Sequence, residues 1–463
     1  MLTKKEVFYL VLLGIAAGFF LTFYPAGLFV LLLFLCALFL IKTYIKTKSS
    51  GFLIKLFVIS FTLRALLCAI NYNVGLNYPF WGGDTQPDAT VYNINAFYVS
   101  HLLKENTAEE NFARAKDPYL DNLLERTRRY YKNEFPPVGN YQFDSHVFIL
   151  GAFYAWLGYA PVAAKMMNSL FGCISIIIVY LITRRLFEEE KPARVAAVIY
   201  ALFPSILYWS VTGLRDTLYN LIFLSYFLCL VEFITEKKFK FIIRCLPFIY
   251  LLNYLRPNRV LTVIVAGTVM SFVFVYLNKL WSEKKPILQM LFRLGIYFVL
   301  LVLLLHRNEI SSKVVTMANK LSWINIQFGN TTDYRIYSDL VYQQGRLNAG
   351  DVFSFTFLVS VFKALVYFFF APFPFWNWTL SFLPFYPQVV YWYLMVPFVV
   401  KGWMLFLKRD AYTAFVLALS LLILIIPAVL FESNIGTAFR HKDMFIPVAF
   451  MFAAYAFTRQ KAE

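Results

Sequence analysis

Charged side chains are scarce in this chain. Asp, Glu, Lys and Arg make up 15% of its 463 residues, well below the roughly 25% of soluble domains, whereas hydrophobic residues make up 60%. This composition excludes an ordinary soluble protein and predicts a polytopic membrane protein. Acids are scarcer than bases, 26 against 43. We attribute the basic excess to cytoplasmic loops that face anionic lipid, and we expect no nucleic-acid partner.

The sequence also lacks the short motifs of several enzyme classes. It contains no H-E-x-x-H, G-x-S-x-G, Walker A or G-x-G-x-x-G pattern, which argues against zincins, lipases, nucleotide hydrolases and Rossmann enzymes. The five cysteines all fall inside apolar runs, so neither a disulfide framework nor a zinc-ligand spacing is present. We expect no cofactor and no resident metal, although Asp84 and Asp88, four residues apart, leave a shared divalent cation open.

Long apolar runs dominate what the sequence does contain. About twelve of them are long enough to cross a bilayer, which needs roughly 20 residues. They lie at about 6–22, 25–41, 52–71, 163–182, 193–211, 216–234, 239–254, 260–277, 287–305, 386–407, 411–430 and 441–457. We predict an all-α fold with about twelve transmembrane helices in one membrane domain, 1–463. Two further runs, 147–160 and 353–371, would break the alternation of the loops, so we predict interfacial or re-entrant helices there.

The Lys/Arg-rich turns set the predicted orientation, because cytoplasmic loops carry the excess of positive charge. These turns lie at 42–48, 184–194, 236–240, 279–285, 401–409 and 459–461. With them inside, both termini are cytoplasmic, and the outer face holds two large loops, 72–146 and 306–352. The first loop has an acidic balance, and its 91–104 stretch carries the apolar stripe of a helix lying on the membrane surface.

The first large loop holds the best acid candidates, in W-G-G-D-T-Q-P-D directly after the third predicted span. Asp84 and Asp88 can each accept a proton or orient a hydroxyl group. Both can instead cap the helix that starts near Ala89. Asp84 follows two glycines that allow close backbone approach, which makes it the better catalytic candidate. Tyr78 and Trp81 flank the acids, where they can stack on a sugar ring or belong to the aromatic belt of the membrane interface.

Basic residues collect at three other predicted outer turns. Guanidinium groups bind phosphate through planar, bidentate forks, so acids together with clustered arginines at a membrane surface suggest group transfer from a phospholipid-like donor. Arg215 and Asp216 can also form a local ion pair at a helix start, and Arg256 and Arg259 can anchor the chain at the interface. The residues at these turns are Arg215, Asp216, Arg256, Arg259, Arg440, His441 and Lys442.

Several stretches between about 145 and 235 resemble the second-to-fourth-span core of bacterial GT-C glycosyltransferases, which include relatives of protein O-mannosyltransferases and lipid A aminoarabinose transferases. The resemblance lies in A-A-K-M-M-N-S-L-F-G, A-R-V-A-A-V-I-Y-A-L-F-P-S and S-V-T-G-L-R-D-T-L. The stretch E-S-N-I-G-T-A-F-R-H-K-D resembles the last outer turn of many bacterial surface-polysaccharide membrane proteins. Two extra predicted spans precede the large loop, and no soluble C-terminal domain is expected, so the chain departs from the pattern in both respects.

The resemblance implies an inverting glycosyltransferase of the bacterial cytoplasmic membrane. It implies that a sugar moves from a polyprenyl-phosphate donor to a glycan, lipid or protein acceptor on the outer face. Asp84, or alternatively Asp88, would orient or deprotonate the acceptor. Arg256, Arg259 and Arg440 would neutralise the negative charge of the leaving phosphate. Arg215 and His441 would be further phosphate contacts, and Asp216 would lie near the sugar or the acceptor.

Two other functions stay open. One is an O-antigen-type polymerase, which joins lipid-linked sugars on the same face of the membrane. The other is a lipid-linked sugar flippase or transporter, which predicts charges near mid-membrane and repeated halves. Only Arg64 lies well inside a predicted span, where we expect it to face the bundle interior or to pair with a buried acid. The sequence shows no evident repeat.

Overall fold

The computed structural model describes seven continuous stretches of the chain, and the account below is confined to them, to a short strand pair and to scattered single residues, several of them between 92 and 104. The continuous stretches are 25–45, 49–74, 145–255, 261–282, 355–370, 386–431 and 440–459. Apolar side chains within them favour helices whose backbone groups are satisfied internally, as a bilayer requires.

Helices account for nearly all of the described residues. They are α1 Ala26–Tyr44, α2 Ser50–Val74, α3 Ser145–Leu157, α4 Pro161–Phe187, α5 Glu190–Leu202, α6 Pro204–Val211, α7 Asp216–Glu236, α8 Lys240–Leu255, α9 Leu261–Ser282, α10 Phe355–Phe370, α11 Tyr386–Arg409, α12 Ala411–Phe431 and α13 Ile446–Arg459. A two-residue antiparallel pair, β1 Tyr342–Gln343 and β2 Arg346–Leu347, places Tyr342 opposite Leu347.

The protein is a helical membrane protein with several spans. Within the described residues, α1, α2, α4, α7 and α11 are long and apolar enough to cross a bilayer, and α5 with α6 adds a sixth crossing if the bent pair counts as one. In α4 and α7, 78% and 72% of the most apolar window is buried, against 22–33% in the other three, so these two helices form the centre of the bundle. The predicted total of about twelve spans stays a prediction.

The predicted span at 193–211 is not one straight helix. It is divided into α5 and α6, which meet at an angle of 55°. Pro204 lacks a backbone N–H and its ring crowds the carbonyl of the preceding turn, which favours a break in the helix at this point. Phe203, the residue before the proline, accordingly has the extended conformation φ −65°, ψ 125°.

Charged turns from four parts of the chain meet at one end of the bundle, which we call the Glu188 end. The ion pairs between them are Arg409–Glu188, Arg459–Glu189 and Arg185–Glu236. These residues belong to the Lys/Arg-rich turns predicted at 184–194, 236–240, 401–409 and 459–461. Their meeting agrees with the predicted alternation of the loops, while the side of the membrane on which they lie stays a prediction.

The opposite end of the bundle, which we call the Asp216 end, holds the start of α7. Helix α3 lies along this end: Ser145 donates a hydrogen bond to the carbonyl oxygen of Tyr254 in the last turn of α8, and His146 Nε2 lies 3.3 Å from the carbonyl oxygen of Gly213. Its other end joins the first residue of α4, Pro161, on the same side. Both ends of α3 therefore lie on one side of the bundle, and its predicted interfacial or re-entrant placement stays a prediction.

The described residues between 92 and 104 are mostly helical and pack on α3. Phe97 stacks edge-on against Tyr159 at a centroid distance of 5.2 Å, and Tyr154 donates a hydrogen bond to Asn93. Asn95 is buried as well, with 1% of its surface exposed. Within the described residues of this stretch, Asn93, Asn95 and Ser100 are buried whereas Leu103 and Lys104 are exposed, and the predicted surface helix stays a prediction.

Candidate functional site

The turn between α6 and α7 brings the first charged residues of the site into the Asp216 end. Gly213 has φ +81°, a left-handed conformation that suits glycine, and a Cβ there would lie 3.4 Å from Lys165 Cγ. The chain then enters α7 at Asp216, whose carboxylate lies in the first helical turn and interacts favourably with the helix dipole. Gly213 thus allows the tight turn, and Asp216 places a carboxylate at the end of that turn.

Arg440, in the short turn before α13, lies directly against Asp216. The guanidinium Nε is 3.4 Å from the carboxylate Oδ2, and only 16% and 4% of the two side chains are exposed. Because an unpaired charge in such a buried place is costly, each side chain offsets part of the burial cost of the other. The two predicted outer turns that contain these residues are therefore brought together, and Asp216 has Arg440 as a partner, which the sequence did not predict.

Lys442, from the same predicted outer turn as Arg440, and Asp443, which the sequence did not single out, complete a charged cluster. Ser205, at the start of α6, donates a hydrogen bond of 2.7 Å to Asp443 Oδ1, and Oδ2 has no hydrogen-bond partner among the described residues. Both residues precede α13 and are almost fully buried. Burial raises the pKa of Asp443, and the nearby Asp216 carboxylate raises it further.

Burial also lowers the pKa of Lys442, and the neighbouring Asp443 carboxylate opposes that shift. The signal for both residues is visible in the sequence. They sit where R-H-K-D runs into an apolar stretch, and an ionisable residue at the edge of a span is a functional candidate by default.

Arg215 lies on the other side of the turn, over an aromatic pair. Its guanidinium carbon is 6.0 Å from the centroid of the Tyr92 ring, and Tyr92 in turn packs edge-on against His146 at 5.2 Å. His146 Nε2 faces the Gly213 carbonyl, which can only accept, so this nitrogen carries the proton. Arg215 thus has an aromatic contact.

Arg64 is fully buried in the middle of α2 and faces the bundle interior, as the sequence predicts. Its partners differ from the buried acid that the sequence also allowed. The guanidinium donates to Ser210 Oγ at 3.0 Å, to the Ala201 carbonyl at 3.2 Å and to the Ser60 carbonyl at 3.4 Å. Ala201 lies in the last turn of α5, where the break before Pro204 leaves carbonyl groups without helical partners.

The remaining predicted site residues lie outside the described part of the chain, and their roles stay predictions. They are Asp84, Asp88, Tyr78, Trp81, Arg256 and Arg259. His441 is described and half-buried beside Arg440, and its carbonyl accepts a hydrogen bond from the Met444 N–H at 3.2 Å. Among the described residues, no group of three or more His, Cys, Asp or Glu side chains is placed to hold a metal ion.

Two comparisons with known proteins were negative. No protein-family model matches the sequence, and no curated protein matches it significantly. The chemical role of the charged cluster must therefore be inferred from the residues of the cluster. Those residues are a buried ion pair, two further basic side chains and a second buried carboxylate, all at the Asp216 end.

Proposed function

We propose that this protein is a glycosyltransferase of the bacterial cytoplasmic membrane. It moves a sugar from a polyprenyl-phosphate donor to a glycan, lipid or protein acceptor on the outer face, and its termini are cytoplasmic. The observation that carries the proposal is the buried Arg440–Asp216 pair, with Arg215, Lys442 and Asp443 around it. Charges gathered at the end of an apolar bundle are costly, which favours a functional reason for them.

The charge balance of the cluster supports a phosphate ligand. Three bases, Arg215, Arg440 and Lys442, stand against two acids, Asp216 and Asp443. One formal positive charge is therefore left over, which matches the single negative charge of a phosphodiester. Arginine suits this role because its planar group can grip two phosphate oxygens at once.

The reaction would be a displacement at the anomeric carbon. The acceptor oxygen or nitrogen forms a new bond to that carbon, while the bond from the carbon to the phosphate oxygen breaks and its electron pair stays on the phosphate. Asp84 takes the proton of the acceptor. The leaving lipid phosphate gains negative charge, and the arginines neutralise it, an effect of a few kcal/mol for each well-placed donor.

Binding of a lipid phosphate tests the proposal most directly. Wild-type protein in lipid nanodiscs is titrated with undecaprenyl phosphate, alongside Arg256→Ala, Arg259→Ala and Arg440→Ala. Each substitution should weaken binding, and Lys at the same position should restore it only in part, because an ammonium group cannot reproduce a bidentate fork. Arg409→Ala, at the Glu188 end, is the matched control and should leave the affinity unchanged. Unchanged affinity in all three site variants would overturn the proposed donor site.

Mass spectrometry of surface glycans from cells with and without the protein identifies the product of the reaction. A glycan, glycolipid or glycoprotein should lose one sugar residue in the deletion strain and regain it with the wild-type gene. An unchanged set of surface sugars would contradict the transferase activity. Loss of a whole polymer, with its repeating unit still made, would favour the polymerase alternative.

Buried Arg64 gives the transporter alternative little support. A transported ligand needs a charge that it can reach, whereas the Arg64 side chain donates to Ser210 and to the Ala201 carbonyl on the two sides of the break between α5 and α6, and to a carbonyl of its own helix. These contacts supply a structural reason for a charge inside the bundle.

A further inference from the structure

The turn between α7 and α8, at the Glu188 end, carries basic and apolar side chains together. Its sequence E-K-K-F-K-F-I-I-R, 236–244, has four bases and one acid, and all four bases are exposed. Helix α7 is long and apolar enough to span the membrane and ends at Glu236, so this turn lies where the chain leaves the hydrocarbon core. Basic residues at that level face the phosphates of lipid headgroups.

Two of these bases lie against the same aromatic ring. The Lys240 Nζ is 4.9 Å from the centroid of the Phe241 ring, and the guanidinium carbon of Arg244 is 5.2 Å from it. Only 3% of Phe241 is exposed, so the packed ring gives both cations a fixed support. Because both distances end at one centroid, the two cationic groups are at most about 10 Å apart. A phosphate group has several acceptor oxygens and can accept hydrogen bonds from both.

The nearby acids do not cancel this charge. Glu236 accepts a hydrogen bond of 2.8 Å from Lys238 and also pairs with Arg185. Glu232 lies 4.0 Å from the Arg244 Nη1, which is a long ion pair. The first turn of α8 contains no acid, so the positive end of its helix dipole adds to the two bases at the ring. The two bases and Glu232 leave one formal positive charge, which matches the single negative charge of a phosphatidylglycerol headgroup.

An apolar stripe on α8 begins beside the two bases. Four large apolar side chains recur here at intervals of four, three and four residues, which places them on one helix face. They are Phe239, Ile243, Leu246 and Tyr250, each more than half exposed. Ile243 is three residues after Lys240 and is therefore its neighbour on the helix surface. Acyl chains can lie along this stripe while the phosphate of the same lipid contacts the bases. A free phosphate ion would use the bases alone, so the stripe favours a lipid as the occupant.

We propose that the turn between α7 and α8 binds an anionic phospholipid, with its phosphate held between Lys240 and Arg244 and its acyl chains along the apolar stripe of α8. The site lies at the Glu188 end, opposite the charged cluster, and takes a lipid of the surrounding bilayer rather than a sugar donor. It is therefore independent of the proposed glycosyltransferase activity. Its effect is to select anionic over zwitterionic lipid at one position on the protein surface.

A fluorescent label on the stripe measures which lipid occupies it. In a background without native cysteines, Leu246→Cys is labelled with bimane, and the protein is placed in phosphatidylcholine nanodiscs. A small fraction of the lipid is either phosphatidylglycerol or phosphatidylcholine that carries a nitroxide quencher on its acyl chain. Quenching by the two nitroxide lipids gives their relative affinity for this position. Phosphatidylglycerol should bind about five- to thirtyfold more tightly, the contribution of one or two bases near an anionic headgroup.

Lys240→Gln/Arg244→Gln removes the proposed phosphate contacts, and both side chains are exposed, so the fold should be kept. In this double variant, the affinities for the two lipids should differ by less than about twofold. Lys42→Gln/Lys55→Gln is the matched control, because it removes two exposed bases from the connected ends of α1 and α2, also at the Glu188 end. The control should keep the wild-type preference. An equal loss in the two double variants would overturn the proposal, since it would show that the total charge of this end attracts the lipid.

A soluble competitor separates a lipid site from a site for free phosphate. Glycerol phosphate has the phosphate and the glycerol of the lipid but no acyl chains, and at millimolar concentration it should leave the preference for phosphatidylglycerol unchanged. If it abolishes the preference, the turn binds a soluble phosphate and the lipid assignment is wrong. Equal quenching by the two nitroxide lipids in the labelled protein without further substitutions would also overturn the proposal.

Discussion

Arg440 and Asp216 come from opposite halves of the chain, and the Arg440 Nε lies 3.4 Å from the Asp216 Oδ2 in a nearly closed setting. Removing one member of a buried pair strands the other charge. We expect Asp216→Asn and Arg440→Gln each to lower the free energy of unfolding by about 3 kcal/mol. Thermal unfolding of the purified protein in detergent measures the effect.

Glu188→Gln provides the comparison for that pair. Glu188 is 79% exposed and pairs with Arg409, so its substitution should change the free energy of unfolding by less than about 0.5 kcal/mol. Equal shifts for Glu188→Gln and Asp216→Asn would show that the Arg440–Asp216 pair adds no more than a surface contact.

The two loop acids should differ in their effect on activity. Asp84→Asn removes a base without changing shape, so we expect it to abolish nearly all transfer while the protein level in the membrane stays near normal. Asp88→Asn should have a milder effect. A purified transfer assay with both variants decides the matter, and equal small losses would favour helix capping for both residues over catalysis by Asp84.

Cysteine labelling tests the predicted sidedness of the Asp216 end. In a background without native cysteines, Glu110→Cys and Asn330→Cys should react with a membrane-impermeant maleimide in intact cells. Lys238→Cys, at the Glu188 end, should react only after the membrane is opened. The reverse pattern would place the charged cluster in the cytoplasm and exclude the proposed mechanism.

Gly402 allows α11 and α13 to cross closely. A Cβ at this position would overlap the backbone carbonyl of Phe452. Because backbone cannot move aside as a flexible side chain can, Gly402→Ala should destabilise the protein by about 1–3 kcal/mol. Gly51→Ala is the control, since a Cβ there meets nothing within 4 Å and alanine favours a helix. Thermal unfolding should show a lower Tm for the first variant and an equal or higher Tm for the second.

Arg64 should matter for stability through its hydrogen bonds to the broken span. Arg64→Met removes the donors to Ser210 and to the Ala201 carbonyl, and we expect a loss of about 1–3 kcal/mol in the free energy of unfolding. Arg64→Lys should recover part of it. Lipid-phosphate affinity should change little in the correctly folded fraction, whereas a specific loss of binding at unchanged Tm would give Arg64 a role in the site.

The sequence predicts the helical membrane class and several helices well, because a bilayer imposes long apolar runs on any chain that crosses it. The sequence also predicts that the turn with Arg215 and Asp216 and the turn with Arg440 lie on the same side of the membrane. Both turns do lie at the Asp216 end of the bundle. The sequence does not predict the pairing itself, since the partner of a charge is set by the packing of α6, α7 and the turn before α13, and many partners fit the same pattern.

Two particular features lay beyond the hydropathy pattern. Pro204 marks the break in the predicted span at 193–211, yet neighbouring helices often accommodate a proline, so the pattern alone does not distinguish a kink from two helices. Asp443 looks like an ordinary polar residue at the end of a span. Its importance comes from a buried oxygen without a hydrogen-bond partner among the described residues, which only three-dimensional contacts reveal.

The bend at Phe203 affects how deep the start of α7 lies within the bundle. Helix α6 has eight residues, so it is about 12 Å long, and a turn of 55° shortens its reach along the axis of α5 by about 5 Å. The start of α7 therefore sits nearly one helical turn further into the bundle than a straight span would place it. Asp216 and Arg440 accordingly lie deeper within the apolar bundle, which agrees with their small exposed fractions of 4% and 16%. For the donor that we propose, this depth favours a phosphate that a lipid carries into the bilayer over a phosphate on a water-soluble molecule, which would have to leave its hydration shell to reach the pair.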